Sequence, residues 1–329
     1  MSFLRAWALC SFVLNKGGLH KALIIKHKIK TMRVFVTGAT GFVGSTVVNQ
    51  LLSAGHKVLG LARSEASAQK LIEAGAEVHL GSLTDIESLK SGALQTDGII
   101  HTGFIHDFSR FAESCEIDRN AILTMGEAIA GTGKPFIITS GLALLSTGRL
   151  LTEQDEVTPE NSKSPRKASE EAAKSVAQMG VNVSVMRLPP SVHDAGDHGF
   201  VPILINLARE KGEAAYLGDG QNKWPAVHRL DAAVLYQLAL EKNAPWAVYH
   251  AVGEQGIPFA DIASTIGENL NLPIVSKTTE EAAEYFGWFN YFGTINTPAS
   301  GEQTKQILGW QPTHIGLIED MNSGAYFAQ

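Results

Sequence analysis

Two cysteines in 329 residues, Cys10 and Cys115, are too few for a disulfide scaffold or a thiolate metal cluster, and they fit a reducing compartment. Long apolar runs are missing too. The run over residues 6–14 (AWALCSFVL) is nine residues long, against the roughly 20 that a membrane-spanning helix needs. Positive charge is scarce: 27 Lys and Arg face 33 Asp and Glu, a formal net charge of −6. Six of those bases (Arg5, Lys16, Lys21, Lys26, Lys28, Lys30) fall within the first 31 residues, which hold no acid, so the body beyond them is strongly acidic. Nucleic-acid binders present basic faces, so an acidic body argues against that partner. A small-molecule substrate is expected, with no nucleic acid and no membrane partner, and a homodimer stays open.

What is present is a composition of 44% hydrophobic residues with 32 glycines and no internal repeat, enough for a sizeable core. The basic leader, residues 1–31, reads in three ways. It is an early start with Met32 as the working start, a targeting segment with an atypical Lys-rich composition, or a membrane or partner helix. A cytoplasmic location follows from the first reading and a mitochondrial one from a genuine transit peptide.

From Arg33 onward, short apolar runs alternate with longer amphipathic ones, the pattern of a parallel sheet covered by helices on both faces. Strands are predicted over 33–37, 57–62, 76–80, 98–101, 135–139 and 182–188. Helices are predicted over about 42–54, 65–74, 85–91, 108–131 and 167–179. The fold class is α/β, a doubly wound parallel sheet of six or seven strands with a smaller, discontinuous C-terminal substrate lobe. The dinucleotide-binding domain covers 32–190, with 227–252 returning to it as a helix and a strand. The second lobe comprises 191–226 and 253–329, and the cleft between lobes is the default ligand site.

The segment Thr37-Gly38-Ala39-Thr40-Gly41-Phe42-Val43-Gly44 links the first strand to the first helix. In that setting Gly38 permits a tight turn, Gly41 lets backbone approach a pyrophosphate, and Gly44 lets helix and strand pack closely. At the end of the second strand NAD sites place an acid for the ribose hydroxyls, whereas this chain has Arg63-Ser64. Arg63 can pair a 2′-phosphate and Ser64 can donate a hydrogen bond to it, which favours NADP. Glu65, one step on, keeps NAD open.

Further segments extend the pattern: Ile100-His101-Thr102-Gly103, Asn120, Ser140, Arg187-Leu188-Pro189-Pro190 and Val227-His228-Arg229-Leu230-Asp231. With the glycine loop they resemble an extended or atypical short-chain dehydrogenase/reductase of the NAD(P)-dependent epimerase/dehydratase type, over essentially the whole body. That resemblance implies that Gly38, Thr40, Gly41, Phe42, Val43 and Arg63 line the dinucleotide. It implies also that Ser82 and Leu83 flank the adenine, that Thr102, Gly103 and Phe104 follow its ribose, and that the stretch containing Pro189 approaches the nicotinamide. Ser140 falls where the family keeps a hydroxyl for the substrate oxygen, and capping of a strand end is its alternative role.

The family's acid/base pair is a Tyr with a Lys four residues later. Here no tyrosine occurs between Ser140 and Glu170, and Arg166 and Glu170 align with the two positions. Arginine does not release its proton near neutral pH, so a different proton source is needed. His193 and His106 are the candidates on loops at the carboxyl edge of the sheet, and Arg166 can polarise a carbonyl as a fixed cation. The cluster from His193 to His198 lacks any recognised metal-ligand spacing, so no metal is expected. Aromatics of the second lobe (Tyr216, Trp224, Trp288, Phe289, Tyr291, Phe292) serve as core, and those over the cleft suit an apolar substrate better than a nucleotide-sugar. An NADP(H)-dependent oxidoreductase or epimerase-like enzyme is one reading, and a non-catalytic NADP(H)-binding sensor or scaffold is the other.

Overall fold

Val34, Phe35 and Val36 follow one another without polar alternation because both faces of their strand are covered, and all three are completely buried. This strand, β1 (Arg33–Thr37), leads to α1 (Phe42–Ser53), β2 (Lys57–Ala62), α2 (Glu65–Ala74) and β3 (Glu77–Leu80). The chain continues through α3 (Ile86–Leu94), β4 (Gly98–His101), α4 (Phe111–Ile129), β5 (Pro135–Gly141), α5 (Ala168–Gln178) and β6 (Asn182–Leu188). Then come β7 (Ser191–His193), α6 (Phe200–Lys211), β8 (Ala214–Leu217), β9 (Lys223–His228), α7 (Arg229–Lys242) and β10 (Trp246–His250). The last elements are β11 (Glu254–Pro258), α8 (Phe259–Leu270), β12 (Ile274–Lys277), α9 (Thr279–Phe286), α10 (Asn290–Thr294), α11 (Glu302–Leu308) and α12 (Leu317–Asn322). The computed structural model describes residues 30–145, 148–158 and 160–327, so all but the last two residues of the leader lie outside the described part.

The main sheet has seven strands in the order β10-β6-β5-β4-β1-β2-β3, every neighbour parallel. This is the doubly wound architecture expected from the sequence. The order reverses between β1 and β4, and ligands in such sheets bind beyond the carboxyl ends of the strands at that reversal. One face is covered by α1 and α7, through Val47, Leu51, Leu235 and Tyr236. The other is covered by α3, α4 and α5, through Leu89, Ile122, Met125 and Val176. No described helix is long and apolar enough to cross a membrane.

The second half departs from the sequence reading in detail. A helix is expected from Val227, yet Val227 and His228 end strand β9, which forms a three-stranded sheet with β7 and β11. A second small sheet pairs β8 with β12. These strands are short, and all but the four-residue β8 carry His, Pro or Lys, so they lack the longer continuous apolar run that marks the main sheet. Around them Val201, Ile205, Trp224, Phe259 and Phe289 form a separate buried cluster.

His250, at the end of β10, ties the sheet to the C-terminal segment. Its Nδ1–H donates to the Ser300 carbonyl at 2.8 Å, and Nε2 receives Arg187 Nη1 at 3.3 Å. Burial, reinforced by the Arg187 charge, depresses its pKa to about 3. A histidine depressed on folding stabilises fully above its unfolded pKa of about 6.5 and loses that contribution as pH falls toward the folded value. Thermal denaturation between pH 6.5 and 3 is therefore expected to show a stability decline of up to about 1.4 kcal/mol per pH unit from this residue. His250→Asn, which keeps a donor near the Nδ1 position, should flatten the decline over the same window.

Candidate active site

At the turn after β1, Gly38 takes φ +66°, and a Cβ on it would stand 2.6 Å from the Gly103 nitrogen. A Cβ on Gly44 would lie 2.1 Å from the Gly38 oxygen, so no larger residue fits at either position. Helix α1 starts without a side-chain cap and without an acid in its first turn, whereas Ser64 caps α2 and Asp85 caps α3. An uncapped helix start leaves backbone N–H groups directed at whatever occupies the space beyond it, which suits an anion.

That space is a cavity of about 860 Å³ along the carboxyl edge of the sheet. Gly38, Thr40, Gly41, Phe42, Val43, Gly44 and Arg63 line one end with Ser82, Leu83, Thr102 and Gly103. Phe104, His106, Ser140, Arg166 and Pro189 line the remainder, together with residues of α6 and of the stretch 288–292.

Two residues read as site candidates lie elsewhere. Ser64 is engaged in capping: its Oγ accepts from Ser67 N–H and donates to Ser67 Oγ, and of these two serines it is Ser67 that lines the cavity. His193 is 1% exposed, and its Nδ1 lies 2.8 Å from Asp320 Oδ2 in the interior of the second lobe. The cause is strand parity. Along β7, Val192 turns to the cavity and Ser191 and His193 to the opposite face.

Arg166 is fixed from three sides. Nη1 donates to Asp118 Oδ2 at 2.5 Å and to Ser169 Oγ, Nη2 donates to the Thr139 carbonyl at 3.0 Å, and the guanidinium lies 4.0 Å above the Phe104 ring. Asp118 is 1% exposed and also accepts from Ser169 Oγ and from His101 Nε2, while His101 Nδ1 meets Thr37 Oγ1 at 2.5 Å. Burial alone would raise the Asp118 pKa, but Arg166, with His101 and Ser169, outweighs it and holds the carboxyl at about 2. His106 packs edge-on against Phe104 with ring centroids 5.1 Å apart. Its pKa is lowered by burial and by the Arg166 charge, so it is neutral at neutral pH.

Glu170, in the first turn of α5, forms a second buried pair. It receives Arg187 Nε and Nη2, each at 2.8 Å, in a two-pronged contact, and Ser140 Oγ–H donates to its Oε1 at 2.7 Å. Ser140 thus meets the cavity as an acceptor, because its own proton is engaged. From the second lobe Tyr291 reaches the same end, its hydroxyl donating to the Ala143 carbonyl at 2.7 Å. Among the described residues it is the one tyrosine lining the cavity. No spacing in the sequence marks it out from its aromatic neighbours, because 148 residues separate it from Ala143.

The model of the NAD dependent epimerase/dehydratase family matches residues 34–252. The chain belongs to that family. It is 51% identical over 297 residues to an uncharacterized protein of Schizosaccharomyces pombe, covering 90% of this chain and 100% of that one. It is 30% identical over 232 residues to a ketoreductase of Stigmatella aurantiaca specific by name for 4-hydroxy-2-methyl-3-oxo-4-farnesyl-3,4-dihydroquinoline-1-oxide, covering 66% of this chain and 67% of that one. A dTDP-glucose 4,6-dehydratase from Streptomyces venezuelae, solved with NAD bound, shares the fold. Its TM-score is 0.70 at 20% identity, with 90% of this chain and 96% of that one covered. Within the epimerase/dehydratase family the glycine cradle and the uncapped α1 start are the features that fit a dinucleotide pyrophosphate.

The Glu170–Arg187 pair gives a direct stability test. Glu170→Ala leaves a buried guanidinium without its carboxylate and is expected to cost about 3–5 kcal/mol in urea denaturation. The double variant Glu170→Ala/Arg187→Met should recover much of that loss, since it removes both buried charges.

Proposed function

We propose that the protein is an NADP(H)-dependent oxidoreductase acting on a small carbonyl or hydroxyl compound, with an active site that departs from the family's Tyr and Lys pair. The observation that carries this reading is one continuous cavity, with an uncapped helix start and Arg63 at one end and Ser140, Arg166 and Tyr291 at the other. Arg63 follows β2 where an acid would bind the ribose hydroxyls of NAD, and its guanidinium suits a 2′-phosphate. The bound cofactor supplies or accepts a hydride.

The chain's own residues handle the substrate oxygen and its proton. Three of the five Arg166 N–H hydrogens go to Asp118, Ser169 and the Thr139 carbonyl, and the other two serve to stabilise negative charge developing on that oxygen. Ser140, whose proton goes to Glu170, receives a substrate hydroxyl. Burial raises the pKa of Tyr291, so its phenol is protonated at neutral pH, and it delivers the proton once a substrate oxygen replaces the Ala143 carbonyl as its acceptor. The name of the Stigmatella relative, a ketoreductase, supports reduction of a carbonyl as the direction of work.

One observation favours a second reading, a non-catalytic NADP(H)-binding sensor or scaffold. Arg166 and Glu170, which align with the family's Tyr and Lys, are both held in buried ion pairs. That reading expects NADPH to bind without being consumed by any carbonyl.

Arg63→Ala should weaken NADPH binding about 10- to 100-fold and leave NADH binding unchanged in fluorescence titrations. Equal loss for both cofactors would assign Arg63 no role at the 2′-phosphate. In NADPH-consumption assays Tyr291→Phe should lower kcat about 100-fold with KM little changed. An unaltered kcat would remove Tyr291 as the proton source.

A further inference from the structure

We infer that the half of the cavity beyond the nicotinamide end takes an uncharged, apolar carbonyl compound, aromatic or branched, and rejects substrates carrying phosphate or carboxylate. The inference rests on the oxidoreductase reading only for the reacting carbonyl. The shape and charge of the pocket are independent of it.

The wall of this half is aromatic and built from both parts of the molecule. Phe108, after β4, lies 4.9 Å from Trp288 and 6.0 Å from Phe292 between ring centroids, and Phe200 of α6 lies 4.4 Å from Phe292. Tyr291 and Phe104 continue the wall on either side. Trp288 is 60% exposed although it is the largest apolar side chain of the group, so a broad apolar surface is left at the cavity rim.

Charge within this half is already neutralised. Its arginine, Arg166, is paired with Asp118 at 2.5 Å and covered on one side by Phe104, so it can donate hydrogen bonds without presenting net positive charge. Among the described residues no lysine lines the cavity, and the other lining arginine, Arg63, follows β2 at the opposite end. A carboxylate, Asp197, also lines the cavity, receiving Gly199 N–H at 2.7 Å and the Tyr326 hydroxyl at 3.0 Å. A nucleotide-sugar would have to bring its phosphates past Asp197 with no free cation to pair them, and a 2-oxo acid would meet the same obstacle. Buried anions without such partners bind poorly, whereas an aryl or branched alkyl group gains contact along the whole wall.

The test is binding to the NADPH-saturated full-length protein, followed through Trp fluorescence and calorimetry. Acetophenone serves as the apolar probe, and pyruvate and UDP-glucose as the charged ones. NADPH consumption is measured in parallel. Acetophenone is expected to bind about 100-fold more tightly than either charged compound. Trp288→Ala, a change at an exposed rim position, should weaken acetophenone about tenfold. Tight acetophenone binding without NADPH consumption by acetophenone or by any of a panel of apolar ketones and aldehydes would uphold this inference and overturn the oxidoreductase reading. Pyruvate or UDP-glucose binding as tightly as acetophenone, no acetophenone binding, or an unchanged affinity in Trp288→Ala would each overturn the inference. NADPH consumption with pyruvate would then leave the oxidoreductase reading standing.

Discussion

The carboxylate of Asp118 is the constraint around which the wall of the cavity is assembled. A buried charge of this kind is tolerated only when its lone pairs are filled, and here His101, Arg166 and Ser169 fill them. Those partners come from β4, from the turn before α5 and from α5 itself, while Asp118 belongs to α4. Through His101 the chain of contacts reaches Thr37 at the end of β1, whose backbone oxygen also receives the Thr102 hydroxyl. The mouth of the glycine loop and the Arg166 cation of the cavity wall are therefore held by one polar network inside the sheet edge.

A second network repeats the arrangement two strands away, with Glu170 between Ser140 and Arg187. Together the two hold Arg166 and Glu170, the pair that the sequence reading sets against the family's Tyr and Lys. An arginine and a glutamate there would be costly as isolated buried charges, and each has acquired an opposite partner from a neighbouring element. The result is a rigid, net-neutral wall beside a ring of aromatic side chains.

The main sheet was legible because its strands are buried on both faces: the runs at 33–37, 57–62 and 182–188 carry the signal in their own composition, and their limits match the structure. The glycine loop was legible for a different reason, since its spacing reflects backbone contacts that only glycine allows. His193 does not reach the cavity because a three-residue strand, too short to show in the sequence pattern, fixes side-chain parity and sends it toward Asp320. Ser64 stays out of the cavity because a serine before a helix serves the helix first. The partners of Arg166 and Tyr291 could not be read at all, as 48 and 148 residues separate them from Asp118 and Ala143.

The pairing of β10 with β6 has a consequence for biosynthesis. The edge of β6 stays uncovered until the ribosome has made the stretch from Leu188 to Trp246 and released β10. At about 5–20 residues per second that interval is roughly 3 to 12 s, during which a nascent chain exposes an apolar strand edge. Chaperone occupancy on the emerging polypeptide should be greatest in that interval, and a ribosome stalled just short of Trp246 would hold a chain with strands β1 to β6 already made and its sheet still open.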